Sequence, residues 1–357
     1  MANTRRTRHS RNRSDHGGKT GGKTINLALQ GGGAHGAFTW GVLDRLLQDD
    51  RIAVEGISAT SAGAMNAAVF AHGLAVGGRE GARAALGTFW RRVSEVASFG
   101  PFQASFLDWW LGDGAPGLSP ALVMFDFLTR VMSPYEFNPW NWNPLRAVLN
   151  ESIAFDRLRE DAGATRLFLC ATNVRTGKLK IFGNREITVD AVLASACIPV
   201  LSQAVEVDGE AYWDGGYMGN PAIFPLIYEC RSRDVLIVHI NPLVRPEVPR
   251  SAPEIIDRMN EISFNSSLMR EMRAITFVSK LIDDGEIREG LLPRIRMHSI
   301  FADDVVGKLG AASKRNARWP FLVQLCDAGR AAADAWLGAN YDQLGRASTV
   351  DIAATFL

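Results

Sequence analysis

The chain has 357 residues, 47% of them hydrophobic and 22% charged, with a net charge of +1. That composition excludes a collagen-like, low-complexity or disulfide-stapled chain and leaves room for one large α/β core or two smaller ones. No stretch approaches the roughly 18 uninterrupted apolar residues of a membrane-spanning helix. The four cysteines, Cys170, Cys197, Cys230 and Cys326, are too scattered for a zinc site or a disulfide framework; Cys170 and Cys197, in apolar runs, are expected to be buried.

Residues 1–23 carry Arg5, Arg6, Arg8, Arg11, Arg13, Lys19 and Lys23 against Asp15, a charge of +6 that leaves −5 on the rest of a +1 chain. The segment is rich in Ser, Asn, Gly and Thr and cannot bury enough apolar surface to order itself. It lacks the apolar run of a secretory signal. It reads as a solvated basic tail; attraction to anionic lipid or nucleic acid is the functional alternative.

The ordered chain is predicted to start with a strand over 25–30, a turn of Gly31-Gly32-Gly33, and a helix over 37–47 with apolar residues near helical spacing. A second strand over 54–60 runs into a helix over 61–70 whose first turns are built of small residues. Alternating strands and helices argue for a mostly parallel sheet covered on both faces. Residues 95–150 interrupt the pattern with Trp109, Trp110, Trp140 and Trp142, with Phe102, Phe106, Phe125, Phe127 and Phe137, and with Pro and Gly throughout. They read as an insertion of short helices and an aromatic loop, acting either as a lid or as packing on the sheet. The sheet resumes over 167–172 and 179–182. A helix over 187–197 ends at Ile198-Pro199. A strand over 210–214 meets the turn Gly215-Gly216, and 235–240 is a buried strand of the parallel kind. Beyond Pro253 the chain reads as largely helical, over 254–282 and 319–338. The organisation expected is a basic tail over 1–23, a catalytic domain over 24–250 and a helical extension over 251–357 packed on it.

Three short patterns carry chemistry. Ala59-Thr60-Ser61-Ala62-Gly63 is a nucleophile elbow, G-x-S-x-G, with alanine in place of the first glycine. Taken alone, Ser61 could equally be a helix N-cap. Gly31-Gly32-Gly33 presents backbone N–H groups without side-chain shielding, a nest for a phosphate or an oxyanion. Gly31, Gly33 and Gly36 fit G-x-G-x-x-G by number, but the acidic partner of a dinucleotide site is missing, as is the G-K-[ST] of a P-loop. Asp214-Gly215-Gly216 sets a carboxylate at a strand end, where an Asx turn would look the same.

The order of these patterns along the chain resembles the patatin-like phospholipase family, whose motifs are G-G-G-x-x-G, G-x-S-x-G and D-G-[GA]. The segment Ala194-Ser195-Ala196-Cys197-Ile198-Pro199 is similar to that family's A-S-x-x-x-P. The resemblance spans about residues 25–245. It implies a three-layer α/β/α sandwich and a Ser–Asp dyad. By position, Ser61 is the nucleophile, Asp214 the base, and the glycine loop Gly31, Gly32 and Gly33 with Ala62 the oxyanion hole, the donors being the N–H groups of Gly32, Gly33 and Ala62. Three positions depart from the family: Gln30 for aspartate, His35 for arginine or lysine, and Ala59 for glycine. A Ser–His–Asp triad with His35, His72 or His239 is the alternative mechanism, and His35 is a possible accessory group.

The resemblance further implies hydrolysis of lipid esters, of the phospholipase A, lysophospholipase or esterase type, without metal or cofactor. Alternatives are another hydrophobic ester, such as neutral lipid or a stored polyester, and a catalytically silent lipid-binding or scaffolding protein on the same fold. The expected location is the cytoplasm, with peripheral contact at a membrane or lipid surface left open. No nucleic-acid partner is expected, and the sequence leaves the oligomeric state open.

Overall fold

The computed structural model describes residues 22–99, 131–160, 165–288, 291–307, 309 and 311–357. Most of the basic tail, and Phe102, Phe106, Trp109, Trp110, Phe125 and Phe127 of the insertion, lie outside the described residues.

The described strands form one sheet in the order β5-β6-β3-β2-β1-β7-β8, with β4 also paired to β3. The strands are β1 (Lys23–Leu29), β2 (Ile52–Ala59), β3 (Arg166–Asn173), β4 (Leu179–Gly183), β5 (Val205–Val207), β6 (Glu210–Asp214), β7 (Asp234–His239) and β8 (Arg296–Phe301). Neighbours from β3 through β2, β1 and β7 to β8 run parallel, while β4, β5 and β6 join antiparallel.

Both faces of the sheet are buried, and the strands show this by alternation. Leu27, Leu29, Leu236 and Val238 face one core, and Ala28, Val235 and Ile237 the other. The first core is closed by α1 (Gly36–Gln48), α2 (Ala62–Phe99), α3 (Val189–Ser195) and, from later in the chain, α5 (Trp319–Asn340). The second core is closed by α4 (Ala252–Asp283), through Leu268, Met272 and Ile275, with Ile223, Leu226 and Phe356. This is the three-layer α/β/α sandwich, with a mostly parallel centre.

The C-terminal segment differs from a purely helical extension. It supplies β8, which pairs with β7 as a parallel edge strand. Arg296-Met297-His298-Ser299 is too polar to read as a buried strand. It enters the sheet because Asp234 at the start of β7 meets its polar side chains. Arg296 donates twice to that carboxylate, at 2.9 and 2.8 Å, and His298 Nε2 shares a hydrogen bond with it at 3.1 Å. Burial pushes the Asp234 carboxyl up, but the hydrogen bonds from His298 and Arg296 more than offset this and hold it well below the usual range.

α2 also runs beyond its expected end, continuing past Phe70 with a kink at Gly77 and Gly78. His72 therefore lies inside a helix and not at its end. In the described part of the insertion, the backbone makes a single turn over Pro134–Phe137. An irregular stretch follows, ending at Asn143, whose side chain caps the helix Pro144–Ser152. Trp140 and Trp142 are 88% and 60% exposed, so these two rings do not pack on the sheet. All four cysteines are buried and unpaired.

Candidate active site

The patterns carried by the glycine loop, Ser61 and Asp214 meet at one end of the sheet. β1 and β2 are adjacent and parallel, so the loops leaving Leu29 and Ala59 emerge side by side. Asp214 ends β6 and pairs with Ala171 in the second half of β3.

Ser61 has φ of +56°, a left-handed conformation that a residue with a Cβ adopts at a cost. The strand-to-helix reversal forces it, and the surroundings hold it. Ser61 N–H donates to Ser195 Oγ at 2.9 Å, and Thr60 Oγ1 donates to the Gly219 carbonyl at 2.6 Å. Ser195 thus anchors the elbow from α3, a role that gives the A-S-x-x-x-P resemblance physical content. Ala59 fits without strain because it is still a strand residue, buried between Leu29 and Leu169.

Glycine is required at two points of the loop. A Cβ on Gly31 would stand 2.5 Å from the Ser61 Cβ. Gly33 has φ of +60°, and a Cβ there would collide with the Lys314 carbonyl. The loop is pinned from several sides. Gly31 N–H donates to Asn220 Oδ1 at 2.7 Å, and the Gly31 carbonyl accepts from Asn241 Nδ2 at 2.6 Å. Gln30 Oε1 accepts from the N–H groups of Ile240 and Asn241, and its Nε2 donates to Asn265 Oδ1. A neutral amide at position 30 therefore ties the loop to the end of β7 and to α4. The N–H groups of Gly32, Gly33 and Ala62 take no partner among the described residues, whereas that of Gly31 is engaged.

Asp214 is fully buried. Its Oδ1 accepts from Gly216 N–H at 2.7 Å, and its own N–H donates to the Cys197 carbonyl at 2.8 Å. Oδ2 has no partner at good hydrogen-bond geometry. Ser61 is the side chain whose hydroxyl lowers the pKa of this carboxyl. Burial pushes the carboxyl pKa up to about 7, against the smaller lowering effects of Gly216 and Ser61. The same burial, with the Asp214 charge, pushes Tyr217 up to about 12.

The histidines fall elsewhere. His35 is buried, with Nε2 sharing a hydrogen bond with Ser313 Oγ at 2.7 Å, and burial with the nearby Lys314 pushes it down to about 3. His239 stacks on Phe301 at 4.5 Å and is likewise pushed down to about 3 by burial. His72 is lowered by burial and by Arg157. None has a hydrogen bond to Ser61 or Asp214 among the described residues. His35→Ala is accordingly expected to change any Ser61-dependent turnover of a soluble ester by no more than about fivefold, since the hydrogen bond of His35 goes to Ser313 and not to Ser61 or Asp214. A loss as deep as that of Ser61→Ala in the same assay would place a histidine in the reaction.

Sequence reasoning missed Asn220, Asn241 and Lys314. Asn220-Pro221 and Asn241-Pro242 follow the D-G-G turn and β7, so an Asn-Pro pair past a strand end was the available signal. Lys314 had none. Among the described residues no group of His, Cys, Asp or Glu could hold a metal ion, and no helix is long and apolar enough to cross a membrane.

No curated protein matches the chain. Among solved structures, VipD from Legionella pneumophila aligns with 13% identity and a TM-score of 0.42, covering 94% of this chain and 73% of that one. The ExoU–SpcU complex of the Pseudomonas aeruginosa type III secretion system gives 18% identity and a TM-score of 0.33, covering 69% of this chain and 51% of that one, so the chain spans about half of that neighbour. The family model for patatin-like phospholipases matches residues 27–227, a span that holds the glycine loop, Ser61, Ser195, Asp214 and Asn220. The chain belongs to the patatin-like phospholipase family.

Proposed function

We propose that this protein is a serine acyl hydrolase of lipid esters working through a Ser61–Asp214 dyad. The observation that carries the reading is a serine held at positive φ together with a fully buried carboxyl whose Oδ2 has no hydrogen-bond partner among the described residues and whose pKa Ser61 lowers. In the proposed reaction Asp214 takes the Ser61 proton as Oγ attacks the acyl carbonyl. The N–H groups of Gly32, Gly33 and Ala62 stabilise the oxyanion, and the alcohol leaves with the proton from Asp214. Water then attacks the acyl-enzyme with Asp214 again as base, the bond from Ser61 Oγ to the acyl carbon breaks to release the carboxylic acid, and Asp214 returns the proton to Oγ. Gly31 serves the hole as its anchor and not as a donor, because its N–H is already engaged. Family membership supports a lipid substrate, and the solvent-facing rings of Trp140 and Trp142 suit contact with a lipid surface. Phospholipid or lysophospholipid is the favoured class.

A fluorophosphonate probe tests the reading. It is expected to label the chain once, at Ser61 by peptide mass spectrometry, and labelling is expected to remove hydrolysis of phospholipid vesicles and of a short p-nitrophenyl ester together. No label and no turnover across phospholipids, lysophospholipids, triacylglycerols and short esters would leave the silent lipid-binding reading in its place. Turnover of triacylglycerol or polyester alone would move the substrate class and leave the dyad standing.

A further inference from the structure

At position 35 of the glycine loop, where the family resemblance leads one to expect a cation, stands a buried histidine bonded to Ser313. A cation nonetheless reaches the loop from the other end of the chain. Lys314 lies in a short 3-10 segment, Ala311–Arg315, beyond the residues the family model matches. Its backbone carbonyl packs against Gly33. Its Nζ donates to Asn241 Oδ1 at 2.9 Å, and Asn241 Nδ2 donates to the Gly31 carbonyl at 2.6 Å. Arg245, Glu261 and Asp257 are the other charges whose fields reach it.

This chain of contacts ends at the oxyanion donors. The peptide joining Gly31 to Gly32 is planar and trans, so its carbonyl and its N–H point in opposite directions. Fixing the Gly31 carbonyl therefore fixes the Gly32 N–H. Between two glycines such a peptide meets little steric resistance to flipping, so hydrogen bonds must hold it. Asn241 can hold it only with Nδ2 toward the carbonyl, yet its amide has nearly the same shape after a half-turn. A cation on Oδ1 favours one of the two orientations. Lys314 supplies that cation.

We propose that Lys314 is a positioning residue of the oxyanion loop, acting through Asn241 to keep the Gly32 N–H turned toward Ser61. The proposal rests on the hydrolase reading above. The test uses the full chain, a short p-nitrophenyl ester, and the rate of fluorophosphonate labelling at Ser61. Lys314→Met is expected to lower kcat and the labelling rate about 10- to 100-fold, with KM within about threefold, short of the roughly 100- to 1,000-fold that follows outright loss of an oxyanion donor because the Gly32 N–H is misplaced and not removed. Asn241→Leu is expected to lose a similar factor, and the double variant no more than the worse single one, because both break one link. Lys314→Arg, which restores a cationic donor, is expected to recover most of the loss. Should Lys314→Met fail to fold, the neutral Lys314→Gln takes its place. A kcat within about threefold of the parent, or losses that multiply in the double variant, overturn the positioning role. A parent that neither labels nor turns over overturns the hydrolase reading, and this one with it.

Discussion

Asp214→Asn is expected to lower kcat by roughly four orders of magnitude and, at pH 8, to make the protein more stable than its parent. Both effects follow from where the carboxyl sits. It is fully buried, and burial pushes its pKa up to about 7. An amide cannot take the Ser61 proton, so the loss should match that of a removed general base. Stability moves the other way. In the unfolded chain this carboxyl ionises in the ordinary range, well below 7. Between that range and about pH 7 the folded chain holds a proton that the unfolded chain has released. Stability therefore falls as pH rises through this window, and the penalty is complete above it. The size is roughly 4 kcal/mol by linkage. Asparagine removes the penalty and can keep the Oδ1 bond from Gly216. Thermal melts of both proteins at pH 5 and pH 8 check this, with a gap of several degrees at pH 8 that narrows at pH 5. A variant less stable than its parent at pH 8 would show that the buried charge is not under strain.

The distance along the chain over which each cause acts decides what was legible in the sequence. Ser61 and Gly31-Gly32-Gly33 follow directly on strands, so strand spacing and small residues were enough to place them at one sheet edge. Asp214 is reached by an antiparallel strand, which no local pattern reveals, and its placement rested on the D-G-G motif. β8 was missed because its burial depends on Asp234, 62 residues before Arg296 in the chain. Asn220, Asn241 and Lys314 act through contacts to a loop some 190 to 280 residues earlier. Hydrophobic periodicity carries no trace of such contacts. The Gln30 departure became intelligible only with its partners in place, since an amide can accept from β7 and donate to α4 at once, whereas aspartate can only accept.

The pH profile should show the base directly. kcat/KM on a neutral ester is expected to rise with pH, with a midpoint near 7 and a slope of one, because in the proposed dyad the serine proton goes to the ionised Asp214. At pH 5 the rate should stand about 100-fold below the plateau, tenfold for each unit below the midpoint. His35 and His239 do not compete for this limb, since burial pushes both down to about 3 and they stay neutral throughout. Among the described residues one other carboxyl, that of Glu271, titrates near the midpoint. Burial pushes Glu271 up to about 7, where it accepts the N–H groups of Ile223 and Phe224, both at 2.8 Å. From α4 its carboxylate caps the start of the short helix Phe224–Glu229, and it has no hydrogen bond to Ser61. Glu271→Gln therefore separates the two carboxyls: the midpoint should stay near 7 in that variant. The pH dependence of fluorophosphonate labelling should follow the same curve, because attack by Ser61 needs the same base. A flat profile between pH 5 and 8, or a midpoint that moves with Glu271→Gln, would take the general base away from Asp214.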